Sequence, residues 1–155
     1  MAAELLADAH WSNFLYRHTA RHWHAKWIRY LPNGDIKEHF GAERIFHPLP
    51  TSDGEEGCEM KVIYHYGDER GTVDTGPHAG PWNITRAEHS ATDGLLHPSQ
   101  KVMITLLPVS GGPSVWCAKE SVVGQGPCAA ELFLHHGDEL RMSAGVVHGA
   151  DGAQL

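Results

Sequence analysis

Nowhere does the sequence sustain the roughly 18 apolar residues of a membrane-spanning helix, which argues against a helical span. Its first residues, Met1 to Ala9, carry Glu4 and Asp8 but no basic segment leading into an apolar stretch. The pattern of a secretory leader is therefore missing, and the chain reads as soluble as written. Cysteine is sparse: Cys58, Cys117 and Cys128 are odd in number and contain no CxxC pair. That argues against both a disulfide framework and a thiolate zinc site, and fits a reducing compartment. Basic residues are also few, 12 against 19 acidic for a formal charge of -7, and they form no stripe able to neutralise phosphates, so nucleic acid is not an expected partner. There is no G-x-S-x-G elbow and no glycine-rich phosphate loop, and no cysteine has a local histidine partner, which leaves nucleophilic catalysis without support.

What remains is an ordinary globular composition: 155 residues, 41% hydrophobic and 20% charged. This suits one domain over 1–155 with one core, and is too short for a two-domain enzyme on a large cofactor fold. Thirteen histidines offset much of the negative charge as pH falls towards about 6.5, which makes solubility pH-sensitive.

Between Glu4 and His18, Leu5, Leu6, Trp11, Phe14 and Leu15 recur at helical spacing with no Gly or Pro, predicting one amphipathic helix over about 4–18. Beyond Thr19 short aromatic and β-branched runs are divided by turn signals such as Asn33-Gly34, Gly67-Asp68, Gly80-Pro81 and Gly137-Asp138. Strands are expected near 21–31, 36–46, 59–66, 70–75, 81–90, 100–107, 114–122, 128–135 and 139–148. So many short strands must close or pack to hide their edges. The expected fold is all-β: an antiparallel up-and-down β-barrel of 8–10 strands over about 21–149, with its interior filled by side chains or holding one small ligand.

Alternation sets Phe40, Ala42, Arg44 and Phe46 on one face of a strand, Met60, Val62, Tyr64 and Tyr66 on another, and Leu140, Met142, Ala144 and Val146 on a third, with Arg141 pointing outward. Trp23 and Trp27 share parity with Ala25 between them, and either line a pocket or plug the barrel bottom. Arg44 is the sharpest signal. On an internal face its guanidinium needs a carboxylate or a ligand anion, whereas at a rim its stem packs and its head reaches water. Glu120 and Glu131 are internal partner candidates or exposed rim charges. His22 and His24 share a face, but no third ligand is fixed by spacing, and adjacent His135 and His136 point oppositely, so surface histidine is the better account than a metal site. Cys58 follows acidic Glu55-Glu56-Gly57, which raises a thiol pKa and makes covalent chromophore attachment there the lesser reading.

Gly137-Asp138, Gly145 and His148 resemble the second motif of cupins, with Ser143 where that family has proline; the first motif is absent, since Ala25, Lys26, Trp27 and Ile28 follow His22-Trp23-His24. A wider resemblance rests on Trp11-x-Asn13-Phe14-Leu15, Trp23-x-x-x-Trp27-x-x-Tyr30-x-Pro32-x-Gly34, Phe40-x-Ala42-x-Arg44-x-Phe46-x-Pro48, Gly80-Pro81-Trp82, Asp93-Gly94-x-x-His97-Pro98, Leu106-Leu107-Pro108, and Glu131-Leu132-Phe133 with Arg141. Together these resemble the lipocalin-like (calycin) proteins of cyanobacteria, algae and plants, similar in fold to phycobiliprotein lyases. Two lipocalin glycines are replaced here, by Arg21 and Ala25. The resemblance implies a photosynthetic organism, cytoplasm or plastid stroma, and a bound bilin, other pigment or fatty acid. The resulting expectation is a binder of one small apolar or tetrapyrrole-like acidic ligand, with Trp23, Trp27, Phe40, Arg44, Tyr64 and Met142 as ligand-binding residues and no metal. Two alternatives stand beside it. One is a bilin lyase or isomerase in which Glu120 or Glu131 protonates the pigment before it passes to a chromophore-acceptor protein; the other is a cupin-type metal protein using His148.

Overall fold

The structure is a computed structural model that describes residues 2–49, 56–98, 103–106, 113–118 and 128–149. Glu120 and the end of its expected strand, with the rest of residues 119–127, lie outside the described residues. The chain groups into two compact units, Thr19–Arg86 and Met1–His18 with Ala87–Leu155.

The Thr19–Arg86 unit is one antiparallel sheet. Strand β1 (Trp23–Tyr30) pairs with β2 (Ile36–Pro48), and β2 with β3 (Gly57–Tyr66). The far side of β3 is shared: short β4 (Thr72–Val73) takes its C-terminal half and β5 (Trp82–Thr85) its N-terminal half, with Val62 N donating to Ala79 O at 2.8 Å between them. The β1–β2 turn is fixed locally. Gly34 sits at φ 90°, where a side chain would be strained, and Asn33 and Asp35 hydrogen-bond one another across the bend, Asn33 Nδ2 donating to Asp35 Oδ2 at 2.8 Å.

The second unit opens with α1 (Ala2–Phe14), a stretch rich in Ala and Leu and free of Gly and Pro, and widens into a π-helical turn over Leu15–Thr19. Trp11, Phe14 and His18, spaced i, i+3, i+7, are its buried stripe. A single turn of helix, α2 (Arg86–His89), follows β5. The second sheet is then a six-stranded meander in chain order: β6 (Ser90–Ala91), β7 (Gly94–Leu96), β8 (Met103–Leu106), β9 (Ser114–Ala118), β10 (Cys128–His136) and β11 (Leu140–His148). Helix α1 packs on β6 and β7, where Ser90 Oγ donates to Ala7 O at 3.0 Å.

The protein is thus mostly β with an N-terminal helix, as expected, but several details differ. Pairing among the described residues runs in two sheets and does not close a ring. The strand expected over 81–90 stops at Thr85, because Arg86-Ala87-Glu88 are good helix formers. The strand expected over 70–75 shrinks to Thr72–Val73. The β6–β7 hairpin falls largely between the strands expected over 81–90 and 100–107; it turns at Thr92-Asp93 with Ala91 opposite Gly94.

One orientation is reversed. On β11 it is Arg141 that lies on the covered face, while Leu140, Met142 and Val146 are exposed. Register explains it: Arg141 is opposite His135 and Met142 opposite Leu134. On β10 the side facing inward is that of buried Ala129 and Phe133, not that of exposed Leu132 and Leu134. Since Leu132-Phe133-Leu134 is apolar on both faces, alternation could not choose between them.

Candidate functional site

Residues directly opposite in an antiparallel pair share a face. The register of the first sheet sets Trp23 opposite Arg44 and Trp27 opposite Phe40; Phe40 is then opposite Tyr66, Ala42 opposite Tyr64, Arg44 opposite Val62, and Phe46 opposite Met60. Five of the expected ligand-binding residues, Trp23, Trp27, Phe40, Arg44 and Tyr64, therefore stand on one face of one sheet. Phe40, Ala42, Phe46, Met60 and Val62 are buried there, whereas Trp27, Arg44, Tyr64 and Tyr66 are half-buried. Met142, the sixth, belongs to the other unit and is 67% exposed.

The rings form a continuous cluster. Trp27 and Phe40 stack with planes 1° apart at 6.2 Å, and Phe40 meets Tyr66 at 5.0 Å and Tyr64 at 5.9 Å. Tyr64 and Tyr66 stack at 6.1 Å. Such contacts at offset or tilted geometry each contribute about 0.5–1.5 kcal/mol beyond area burial and make a stiff apolar surface. The Tyr64 hydroxyl donates to His78 O at 3.1 Å. Burial pushes its phenol up, opposed by the guanidinium charges of Arg44 and Arg29.

At the end of this face towards the β1–β2 turn lies a charged network that alternation in the sequence had not singled out. Arg29 lies 5.0 Å over the Phe40 ring and donates through Nη1 to Glu38 Oε1 at 2.7 Å. Arg70, from the β3–β4 turn, lies 3.8 Å over the Tyr66 ring, and its Nη2 is 2.8 Å from Glu38 Oε2. Arg70 is also held by its near neighbour Asp68, Nη2 to Oδ2 at 2.6 Å. Hydrogen bonds from Arg70 hold the Asp68 carboxyl down at about 2, and those from Arg70 first and Arg29 next lower Glu38. Arg29 and Glu38 were legible by the same parity rule that found Trp27 and Phe40. Arg70 was not, because only the return of the β3–β4 hairpin brings it over Tyr66.

The opposite face of this sheet is polar. Glu43 lies between two histidines, 2.7 Å from His65 Nε2 and 3.9 Å from exposed His24 Nδ1, and exposed His22 meets the His47 ring at 5.7 Å. Among the described residues no group of three or more His, Cys, Asp or Glu is placed to hold a metal ion. The cupin-like segment is the β10–β11 hairpin itself: Gly137-Asp138 make its turn and His148 ends it opposite Cys128. Gly145 has a packing reason, since a Cβ there would sit 2.7 Å from Ala130 O and 2.9 Å from Glu131 Cβ. Glu131, half-buried on β10 between Trp116 and Gly145, is in the other unit from Arg44.

A second polar cluster lies under the N-terminal helix. Arg141 Nη1 is 2.9 Å from His18 Nδ1. A guanidinium can only donate, so His18 accepts with Nδ1. His135 Nε2 is 3.0 Å from Ser114 Oγ, but Ser114 is 1% exposed and so is closed to a substrate. Cys58 is buried on the aromatic face of β3, and burial pushes its thiol up to about 11. The direction agrees with expectation, and desolvation by burial drives it.

The described residues define a mostly antiparallel β protein whose first sheet carries an aromatic face edged with arginines, and no described helix is long and apolar enough to cross a membrane. Residues 7–153 match the family described as Domain of unknown function (DUF3598), N-terminal, and the chain belongs to that family. Comparison with curated proteins and with solved structures gave no match.

Proposed function

We propose that the protein binds one small, apolar, acidic ligand on the aromatic face of its first sheet, with Trp23, Trp27, Phe40 and Tyr64 as the wall and Arg44 as an anchor for the acid group. The observation that carries this reading is the convergence of four aromatic side chains and the half-buried residue Arg44 on one face. A guanidinium on an otherwise apolar, aromatic face can hold the acid group of a ligand by a charge-assisted hydrogen bond. The sequence resemblance to lipocalin-like proteins supports the same reading, and closure of the strands as a barrel, with a bilin, other pigment or fatty acid inside, belongs to this proposal. Fold analogy by itself transfers no activity, so no catalytic step is assigned.

Titration with a bilin, a porphyrin or an absorbing fatty-acid analogue should quench tryptophan emission and saturate near one ligand per chain. Arg44→Met should weaken an acidic ligand by about 1.5–3 kcal/mol, the worth of a charge-assisted hydrogen bond, and leave its methyl ester nearly unaffected. Unchanged emission with every such ligand, in protein shown to be folded, would refute the reading.

A further inference from the structure

The charged network at the end of the aromatic face has an arrangement that a stabilising surface salt bridge does not need. Its one well-covered member is the carboxylate: the Glu38 side chain is 16% exposed, against 52% for Arg29 and 42% for Arg70. Each Glu38 oxygen takes one guanidinium, and the two guanidiniums come from different hairpins. Each guanidinium also rests on a ring of the aromatic cluster, Arg29 on Phe40 and Arg70 on Tyr66. Cation–π attraction of this kind helps hold the donor fork in position, and a fork so held can bind a carboxylate.

We propose that Arg29 and Arg70 form a second anion site, that Glu38 fills it in the free protein as an internal stand-in for a ligand carboxylate, and that the ligand is an elongated apolar molecule with an acid group at each end. This rests on the proposed function above, in which Arg44 takes the first acid group. Glu38 and Arg44 share the face of β2, and six residues of strand separate them by about 20 Å. The aromatic cluster occupies the span between. Glu38 is ionised at neutral pH, being held below the usual carboxylate range by its hydrogen bonds to Arg70 and Arg29, so it competes with an incoming carboxylate and sets the affinity the ligand must exceed. Among the described residues the Asp68 carboxylate is held by Arg70, which leaves the Arg29 side of the site to Glu38.

The test is calorimetric titration of the full chain with hexadecanedioic acid, whose extended length suits this span, and with hexadecanoic acid and its methyl ester. In the unmodified protein the diacid should bind at least ten-fold more tightly than the monoacid. Glu38→Gln should tighten the diacid several-fold further and leave the methyl ester unchanged, and Arg70→Gln should abolish the diacid's advantage while sparing the monoacid. Equal binding of diacid and monoacid by the unmodified protein would overturn the second site, leave the single-anion reading standing, and need no variant to fold. If neither acid nor ester binds, the underlying reading fails and takes the second site with it.

Discussion

Cys58 shows how burial alone decides a residue's chemistry. Its thiol, 3% exposed on β3 opposite Pro48 and Ile84, is raised to about 11 because the thiolate would lose its water. A group whose folded pKa lies above its unfolded value contributes stability that is complete below the unfolded pKa and is lost as pH rises through the folded one. We therefore expect an alkaline loss of roughly 2 kcal/mol between about pH 9 and 11 that is present in the unmodified protein and missing from Cys58→Ala. Urea melts of both proteins across that range check it. The same desolvation should make Cys58 unreactive towards iodoacetamide at neutral pH until the protein unfolds, and rapid labelling of the native state would contradict the burial.

At the scale of elements, α1 owes its place to Trp11, which is 1% exposed. Replacing it by Ala should cost about 3–5 kcal/mol, as for other buried large aromatics, measured by denaturant unfolding. The end of the same helix meets a histidine cluster. Phe14 stacks on His18 at 6.0 Å, and His18 meets His135 edge-on at 6.0 Å, beneath which Arg141 lies 5.1 Å over Phe133. His135 is lowered below 6.5 by burial first, then by the charges of Arg17 and Arg141. A histidine lowered on folding stabilises above its unfolded pKa, and that contribution is lost as pH falls through its folded value. Amides of α1 should therefore exchange faster as pH falls below the ordinary histidine value of about 6.5, after correction for intrinsic rates, and His135→Gln should remove that pH dependence while its amide keeps a hydrogen bond to Ser114. An identical pH response in the variant would assign it elsewhere.

For the molecule as a whole, charge and exposed surface act together. The formal charge is -7 with histidine neutral, the chain has thirteen histidines, and the isoelectric point is about 6.0. The β10–β11 hairpin meanwhile exposes Leu134, Leu140 and Met142, the last by 67%. Near zero net charge, self-repulsion no longer keeps such apolar surface apart. We expect a solubility minimum near pH 6, seen as turbidity or light scattering across about pH 5 to 8. Met142→Glu should shift it to lower pH and reduce its depth. Uniform solubility over that range would show that this hairpin face does not drive association.

What the sequence determined by itself was local: the helix ending near His18, the strand pattern, the turn at Asn33-Gly34, and the common face of Trp23, Trp27, Phe40, Arg44 and Tyr64. Each of these follows from a period of two or 3.6 residues or from the conformational preference of a turn, and needs no knowledge of distant chain. Tertiary structure decided which face was covered wherever both were apolar, as in Leu132-Phe133-Leu134, and so turned Arg141 inward and Met142 outward. It also decided that the pairings among the described residues run in two sheets, because register and partner choice depend on residues far apart in sequence. Above all it brought Arg70 from the β3–β4 turn over Tyr66 to share Glu38 with Arg29. A charge network assembled from two hairpins has no period of its own, so no spacing in the chain announces it.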